Sequence, residues 1–380
     1  MLCVYIRRFA WIATLALCAP AFASAQDAGS DAGFVYVGSR TSKERNARGN
    51  GIEVFRTSQD GAWTHSETIG NLVNPSFLIT NSDGTLLFTV HGDQEEASSF
   101  RIDAETGSLV KLSTSNLQGA NPVHLALDKS ESHLIVANYK SGSVVSLPVN
   151  DDGTLGTVIS KVDLPGEPGP HREEQPSSHP HQVLRDPSGL NFIVPDKGLD
   201  RVFVLTIDDD GKLKIVSEVA SREGAGPRHA AFGVDGKTVY VINELDSTIT
   251  GYTYTNLELS PFQIVSTLPD DFTGNSRAAA IDVSEDGHYL YGTNRGHDSV
   301  VRFAIDQATG RLSDPQWVAS GGERPRFMTI APAGDAVLVA NELTDSIYRF
   351  GISPADGKLD QGRLIAETGS PVSITFGSRP

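Results

Sequence analysis

The sequence predicts an all-β protein, a seven-bladed β-propeller with four-stranded antiparallel blades. Three observations carry this prediction: an apolar strand pattern recurs about every fifty residues, helical periodicity is nearly absent, and part of one repeat stands near each end of the chain. Four-stranded propeller blades occupy roughly 40 to 50 residues, so the period fits. With 380 residues, 39% of them hydrophobic, the chain can fill so large a ring as one domain.

Six copies of the repeat can be read as a polar turn followed by an apolar second strand. The turns begin 47, 58, 47, 51 and 47 residues apart. The second strands are apolar at consecutive positions, as in Val239 to Ile242, which is typical of a sheet covered on both faces. A β-sandwich rarely has so long a regular period, and the repeats of a β-helix are much shorter. The turns begin at Asp83, Ser130, Ser188, Asp235, Asp286 and Ala333.

The seventh copy is divided between two distant segments of the chain. Residues 34–39 match a second strand with no first strand before it, whereas residues 371–376 resemble the opening of a repeat at residues 121–127. We therefore expect the last strand to pair with the first blade. This pairing closes the ring and leaves no exposed inner edge.

Residues 1–25 are interpreted as a signal peptide and residues 26–380 as the propeller domain. Two arginines precede an apolar run over residues 9–19, and the sequence Ala-Ser-Ala ends at residue 25. The run is too short to span a bilayer comfortably, so a membrane anchor is the weaker alternative. We expect cleavage after Ala25 and a periplasmic or secreted protein that has no membrane association afterwards.

Composition excludes several classes of function. Both cysteines, Cys3 and Cys18, lie in the segment predicted to be removed, so we expect no disulfide and no cysteine-held metal. The formal net charge is −16, which argues against binding of nucleic acid through its phosphates. An anionic ligand would need a local basic pocket.

The loops fall on two faces of the ring, because strand direction reverses at every hairpin. The polar turns before the second strands lie on one face and only build the ring. The loop before each first strand and the turn after each second strand lie on the other face, here called the shared face, at the mouth of the central channel. The ionisable residues of this face are His179, His181, Lys197, Arg228, His229, Glu244, Arg277, Arg295, His297, Arg324, Arg326 and Glu342.

One connection on the shared face is longer than its counterparts. The spacing of 58 residues contains about eleven extra residues before His181, in a segment rich in Pro, Gly and Ser at residues 165–181. The segment is either a pocket wall or lid, or a tolerated surface insertion.

Departures from the repeat identify candidate functional residues. Asparagine recurs at the end of most second strands, which indicates turn chemistry common to all blades. Four positions instead place ionisable groups, suited to holding an anion and moving protons, where other repeats have apolar or small residues. They are His181, Arg228, Glu244 and Arg295.

Several kinds of chemistry lack a supporting motif. There is no nucleophile elbow, phosphate-binding loop or dinucleotide fingerprint, so neither covalent serine hydrolysis nor nucleotide chemistry is supported. His171, His179 and His181 suggest a metal, but no carboxylate or cysteine follows at a recognised ligand spacing. We therefore predict no metal and no other cofactor.

Three segments carry a family resemblance: SHPHQVLRDPSGLNFIVPDKGLDRVFVL from Ser178, GAGPRHAAFGVDGKTVYVINELDSTI from Gly224 and AAAIDVSEDGHYLYGTNRGHDSV from Ala278. They resemble the lactonase family of seven-bladed propellers, which includes bacterial 6-phosphogluconolactonases and the fungal carboxy-cis,cis-muconate cyclase. The resemblance extends over about residues 33–377. The active-site residues proposed for the family are a His, an Arg, a Glu and a second Arg. On this chain they fall on His181, Arg228, Glu244 and Arg295.

The resemblance implies a carboxylic ester hydrolase that opens a sugar lactone, or the reverse reaction, without a metal. Glu244 or His181 would activate water or transfer a proton, and the two arginines would hold a carboxylate or phosphate and stabilise the oxyanion. His181 is preferred over His179 because it lies nearer the strand. Further contacts to the substrate are expected from His179, His229, Asn243 and His297.

The predicted export departs from the family pattern, because a 6-phosphogluconolactonase serves a cytoplasmic pathway. A non-phosphorylated aldonolactone or another cyclic ester is therefore an equal candidate. Rival functions are a non-catalytic propeller that binds a protein or cell-envelope ligand, a metal-dependent lactonase and a quinone-dependent dehydrogenase. Protein binding would need an aromatic and apolar rim, and the loops of the shared face contain few aromatics. We expect a monomer that acts on a small lactone.

Overall fold

The computed structural model describes residues 1–2, 33–58 and 61–377. The predicted cleavage site, and the predicted signal peptide apart from its first two residues, lie outside the described residues. Contacts along the chain group residues 31–380 into one compact unit. Within the described residues, no helix is both long and apolar enough to cross a membrane.

The described chain forms seven sheets of four antiparallel strands, so the predicted seven-bladed propeller is confirmed. The first blade contains β1 (Phe34–Ser39), β2 (Ile52–Thr57) and β3 (Trp63–Ile69), and it is completed by β28 (Pro371–Phe376). A short 3-10 helix, Lys43–Arg45, lies between β1 and β2.

The other six blades follow one another along the chain. The second and third blades consist of β4 (Pro75–Thr80), β5 (Leu86–His91), β6 (Glu96–Ile102), β7 (Leu109–Asn116), β8 (Pro122–Leu127), β9 (His133–Asn138), β10 (Ser143–Pro148) and β11 (Ser160–Asp163). The fourth and fifth consist of β12 (Leu184–Arg185), β13 (Asn191–Asp196), β14 (Arg201–Ile207), β15 (Leu213–Ala220), β16 (Pro227–Phe232), β17 (Thr238–Asn243), β18 (Thr248–Thr255) and β19 (Glu258–Ser266). The sixth and seventh consist of β20 (Arg277–Val283), β21 (Tyr289–Arg295), β22 (Ser299–Ile305), β23 (Leu312–Ala319), β24 (Pro325–Ile330), β25 (Ala336–Asn341), β26 (Ser346–Gly351) and β27 (Arg363–Glu367).

The predicted closure of the ring is also confirmed. Strand β28 pairs antiparallel with β1, so that Val35 lies opposite Phe376 and Val37 opposite Ile374. The closing strand also contacts the next blade, where the backbone N–H of Leu78 donates to Ser373 Oγ at 3.0 Å. First strands of neighbouring blades contact each other around the channel, so each first strand is the innermost of its blade.

Packing between blades supplies the core, since each sheet is covered on both faces. Tyrosines of the second strands are buried there, and their hydroxyls reach into the next blade. Tyr36 donates to the carbonyl of Gly107 at 3.0 Å, and Tyr240 donates to that of Gly310 at 2.7 Å. These hydrogen bonds satisfy a buried polar group while the ring fills the space between two sheets.

The fourth blade departs from the common pattern at its first strand. Pro180 pairs with Asp196 as an isolated bridge, and regular pairing resumes only at β12, which has two residues. Between them, Gln182 Oε1 accepts a hydrogen bond from the N–H of Ala230 in the fifth blade at 2.5 Å. The long loop still enters its blade at the usual position, because Pro227 and Pro325 pair in the same way with Asn243 and Asn341.

Candidate active site

Two positions that recur from blade to blade supply many of the charged groups at the channel mouth. The first position is the last residue of the second strand or the one directly after it. In five consecutive blades the residue at this position is charged, and the sign of the charge alternates from blade to blade. We call these five residues the charged ring. Its members are Lys197, Glu244, Arg295, Glu342 and Arg40.

Neighbouring members of the charged ring form ion pairs. Lys197 Nζ lies 3.0 Å from Glu244 Oε1, and Arg295 Nη2 lies 2.9 Å from Glu244 Oε2. On the far side, Arg40 Nε lies 3.0 Å from Glu342 Oε1. Each of these three pairs joins two adjacent blades through one repeat position.

The second position is the residue after the proline that opens a first strand. In the fifth blade Pro227 pairs with Asn243 and His229 with Ile242, so Arg228 has no opposite residue. Such a β-bulge redirects a side chain and is common beside active sites. Arg326 lies at the same bulge of the seventh blade, and His181 follows Pro180 in the fourth.

A cavity of about 870 Å³ opens at the mouth of the channel. Seven cationic and four acidic side chains line it, although the chain as a whole carries a net charge of −16. The cavity is therefore a locally basic pocket that attracts anions or polarised carbonyl groups. The cations are Arg40, Arg45, Lys197, Arg277, Arg295, Arg324 and Arg326, and the acids are Glu174, Glu244, Asp298 and Glu323.

Glu244 is the centre of a buried ionic cluster. It accepts a hydrogen bond from Arg228 Nε at 3.0 Å on the same oxygen that faces Arg295. Burial alone would raise the pKa of Glu244, but Arg295, Lys197 and Arg228 together outweigh it and hold the pKa well below its usual range. Glu244 is therefore a permanent carboxylate and a weak base.

The two arginines of this cluster are fixed by the backbone of the sixth blade. Arg228 Nη1 donates to the carbonyl of Ala279 at 2.6 Å, and Arg295 Nη2 donates to that of Ala278 at 3.0 Å. Arg295 lines the cavity, whereas Arg228 does not. The Nε of Arg295 is buried and has no hydrogen-bond partner among the described residues.

His181 lines the cavity as a neutral imidazole. Burial and the nearby guanidinium of Arg228 lower the pKa of His181 well below its usual range. Its ring contacts Tyr139 and His229 edge to face, with centroids 5.5 Å and 5.2 Å away. Its buried Nδ1 has no hydrogen-bond partner in the described part of the chain. An uncharged ring beside cations can accept a proton from water.

His179 and His229, which were predicted to contact substrate, do not line the cavity. His179 stacks on Tyr139 at 4.4 Å, and its Nδ1 lies 2.9 Å from the carbonyl oxygen of the same residue, to which it donates. His229 lies between His181 and His124, and burial lowers its pKa strongly. Both rings support the wall behind His181.

Asn243 and His297, predicted to contact substrate as well, also lie outside the cavity lining. The Asn243 amide donates to Thr248 Oγ1 at 2.9 Å and to Thr250 Oγ1 at 3.1 Å. His297 Nδ1 lies 2.7 Å from Ser299 Oγ, and its ring packs on Phe272 at 4.7 Å. The structure thus brings together the four predicted catalytic residues, and it places the four predicted binding residues around them.

The long loop at residues 165–181 forms part of the cavity wall through His171 and Glu174. Glu174 Oε2 accepts a hydrogen bond from Lys197 Nζ at 2.6 Å, and Glu174 Oε1 accepts one from Arg277 Nη1 at 2.5 Å. The loop therefore adds an acidic side chain to the site.

Arg326 is a site residue that the sequence reasoning did not select. It lines the cavity, and within the described residues its guanidinium has neither a hydrogen bond nor an ion pair. Burial lowers the pKa of Arg326, and Glu342 opposes this effect. Its position in the repeat, equivalent to that of Arg228, was the signal that could have identified it.

Histidine and carboxylate side chains both line the cavity, and both are possible metal ligands. Among those the structure describes, no group of three or more His, Cys, Asp or Glu side chains is arranged to hold a metal ion. The three channel histidines, His124, His181 and His229, contact one another through their rings.

A closed propeller with a basic pocket at its channel mouth defines a class of small-molecule enzymes and binding proteins. Residues 34–376 match the family described as "Lactonase, 7-bladed beta-propeller", and the chain belongs to that family. It is 33% identical over 310 residues to a 6-phosphogluconolactonase of Bacillus subtilis, covering 80% of this chain and 86% of the relative. It is 30% identical to a 6-phosphogluconolactonase of Formosa agariphila over 321 residues, covering 80% and 88%.

A solved structure of a periplasmic gluconolactonase from Pseudomonas aeruginosa is similar over nearly the whole fold. The TM-score is 0.84 at 30% sequence identity, and the match covers 92% of this chain and 100% of the other. The family predicted from the three sequence segments is thereby confirmed.

Proposed function

We propose that this protein is an exported lactone hydrolase that opens a sugar lactone to the hydroxy acid. The observation that carries the proposal is His181, whose neutral imidazole lines a basic cavity. Family membership supports the same reaction class.

In the proposed reaction His181 removes a proton from water as the water oxygen attacks the lactone carbonyl carbon. The carbonyl electrons move to oxygen, and the charge that develops there is stabilised by Arg295 and Arg326, both of which line the cavity. The tetrahedral intermediate then breaks its ring C–O bond. Protonated His181 returns the proton to the leaving alkoxide, so one water is consumed.

Glu244 has a positioning role in this mechanism. Its carboxylate is held by Lys197, Arg228 and Arg295, and so low a pKa makes it a poor proton acceptor. It fixes Arg295 and compensates part of the positive charge around His181. The sequence reasoning left Glu244 and His181 as alternative bases. The pKa values of both are lowered, and His181 is chosen because its neutral ring forms no ion pair among the described residues, whereas three cations hold the Glu244 carboxylate.

The substrate is proposed to be a non-phosphorylated aldonolactone. Two observations support this choice: the signal peptide predicted at residues 1–25, and the likeness to a protein described as a periplasmic gluconolactonase. The B. subtilis and F. agariphila relatives are described as 6-phosphogluconolactonases. The phosphorylated lactone is therefore the substrate against which the non-phosphorylated lactone should be compared.

A lactone panel tests the proposal. Purified protein, with and without chelator, is given glucono-1,5-lactone and its 6-phosphate, and acid release is followed with a pH indicator and corrected for spontaneous hydrolysis. We expect hydrolysis that resists chelation and falls about 10² to 10³-fold in His181→Asn. His288→Asn, at an exposed site on the opposite face, is the matched control. Absence of hydrolysis across the panel would overturn the proposal.

A further inference from the structure

Lys197 has no donor left for a ligand. Its ammonium has three N–H groups, and three acceptors surround it: Glu174 Oε2 at 2.6 Å, Glu244 Oε1 at 3.0 Å and the Tyr139 hydroxyl at 3.3 Å. The side chain is buried, with an exposed fraction of 4%. Lys197 could otherwise bind a phosphate, but all three of its N–H donors are directed at protein acceptors.

The same carboxylate occupies a second cation. Glu174 bridges Lys197 and Arg277, one oxygen to each, and Arg277 is exposed at the rim of the cavity. Burial raises the pKa of Glu174, but Lys197 and Arg277 outweigh it and lower the pKa, so the group stays ionised. Glu174 therefore holds the place that an anionic group of a ligand would take between these two cations.

The loop fixes the position of this carboxylate. The neighbouring Gln175 is 1% exposed, and its amide donates to the carbonyl of Lys197 at 2.8 Å and to Asp200 Oδ1 at 2.7 Å. The side-chain oxygen of Gln175, Oε1, accepts a hydrogen bond from the backbone N–H of His171 at 3.1 Å. These hydrogen bonds hold residues 171–175 against the fourth blade, so Glu174 has a fixed position in the cavity wall.

We propose that Glu174 determines the charge of the accepted substrate. It excludes a phosphate from the Lys197 and Arg277 side of the cavity and accepts hydrogen bonds from neutral sugar hydroxyls there. A phosphorylated lactone would have to displace a carboxylate held by two cations, or approach it with like charge. This inference rests on the proposed function, and it assigns a substrate-selecting role to the long loop.

The first test compares two neighbouring charge-neutralising variants. Glu174→Gln removes the bridging carboxylate, whereas Glu173→Gln makes the same charge change one residue away on an exposed side chain. For each variant kcat/KM is measured on glucono-1,5-lactone and on its 6-phosphate. We expect Glu174→Gln to shift the preference toward the phosphorylated lactone by about tenfold or more, and Glu173→Gln to leave it within about twofold. An equal shift in both variants, or none in Glu174→Gln, overturns the proposal.

The second test does not depend on catalysis. Calorimetry measures binding of gluconate 6-phosphate and of gluconate to the same proteins, and Glu174→Gln should tighten only the phosphorylated ligand, again by about tenfold. The gain should be smaller in Glu174→Gln combined with Arg277→Gln, because one of the two freed cations is then missing. If Glu174→Gln folds poorly, Glu174→Ser replaces it. Tighter phosphate binding without any lactone hydrolysis would refute the proposed function alone, and hydrolysis without a change in binding or preference would refute the role of Glu174.

Discussion

Lys197 and Glu244 occupy the same repeat position in adjacent blades, and their side chains meet at 3.0 Å. The ion pair is therefore a contact between repeats, made by two copies of one structural position. Arg295 continues the alternation in the next blade. A repeat that is otherwise structural becomes a site because successive copies carry opposite charges at this single place.

Glu244→Gln should reduce both activity and stability. Three cations lose their shared counterion, and breaking a buried ion pair costs about 3 to 5 kcal/mol. Loss of the positioning of Arg295 should lower kcat/KM by about 10² to 10³-fold. Glu342→Gln, at the same repeat position and paired with Arg40 and Arg324, is the comparison. It should destabilise the fold with a smaller effect on kcat/KM, and equal losses of activity would contradict the role given to Glu244.

His181→Ala and His179→Ala should separate chemistry from packing. His181 lines the cavity, so its removal should abolish most of the activity with a modest change in Tm. His179 stacks on Tyr139 and bonds to its carbonyl, so its removal should lower Tm and reduce activity by less than about tenfold. Thermal unfolding and kcat/KM on both variants test this, and the reversed pattern would assign the base to His179.

The pH dependence of activity should reflect a histidine whose pKa is lowered. The base works when neutral, so activity should stay level from pH 8 to below 6.5 and fall only as pH drops through the lowered pKa of His181. An inflection of kcat/KM near pH 6.5 would indicate an ordinary, solvated histidine instead.

Stability should decline over the same acidic range. Burial, with a smaller effect of Arg228, lowers the pKa of His124 to about 3, and burial lowers those of His181 and His229 as well. Below pH 6.5 the unfolded chain binds protons at these positions and the folded chain does not. The free energy of unfolding therefore decreases as the pH is lowered. Urea unfolding at pH 8, 6.5 and 5 measures it. His124→Asn should flatten the slope, and an unchanged slope would show that this histidine is not responsible.

Arg326→Gln and Arg228→Gln should affect the protein in opposite ways. The Arg326 side chain lacks a protein partner in the described chain, so its loss should leave Tm unchanged or raise it while KM for the lactone increases. Arg228 bonds to Glu244 and to the carbonyl of Ala279, so its loss should lower Tm markedly. Parallel melting curves and KM values decide the matter, and a large drop in Tm for Arg326→Gln would argue against an open ligand-binding cation.

Removal of the ring-closing strand should unfold the protein. A chain ending at Ser370 loses β28, which contains Val372 and Ile374, both 4% exposed. Strand β1 would then present an unpaired inner edge and a bare apolar face. A chain ending at Gly377 keeps the strand and is the control. Circular dichroism melting should show a cooperative transition only in the longer chain, and equal transitions in both would refute closure as a source of stability.

The repeat explains what could be predicted from the sequence. Apolar runs and polar turns recur at a fixed spacing, so blade number, ring closure and the loops of each face follow from local patterns. His181, Arg228, Glu244 and Arg295 emerged because they depart from their counterparts. The same comparison, applied to bulge positions, would have added Arg326.

Other features depend on distances that no local pattern encodes. The contact between Glu174 and Arg277 joins residues 103 positions apart and arises only when the long loop lies across the channel mouth. The lowered pKa of Glu244 depends on three cations from three blades. The hydrogen bond between the Gln182 side chain and the N–H of Ala230 joins residues 48 positions apart in adjacent blades.

The antiparallel pair of Val35 and Phe376 also governs when the protein can become native. The first blade lacks its innermost strand until the last part of the chain has been synthesised, so the ring cannot close on a nascent polypeptide. Long-range pairing of this kind is slow. The ring therefore remains open until β28 has been synthesised, and until then the inner edge of the first blade has no partner.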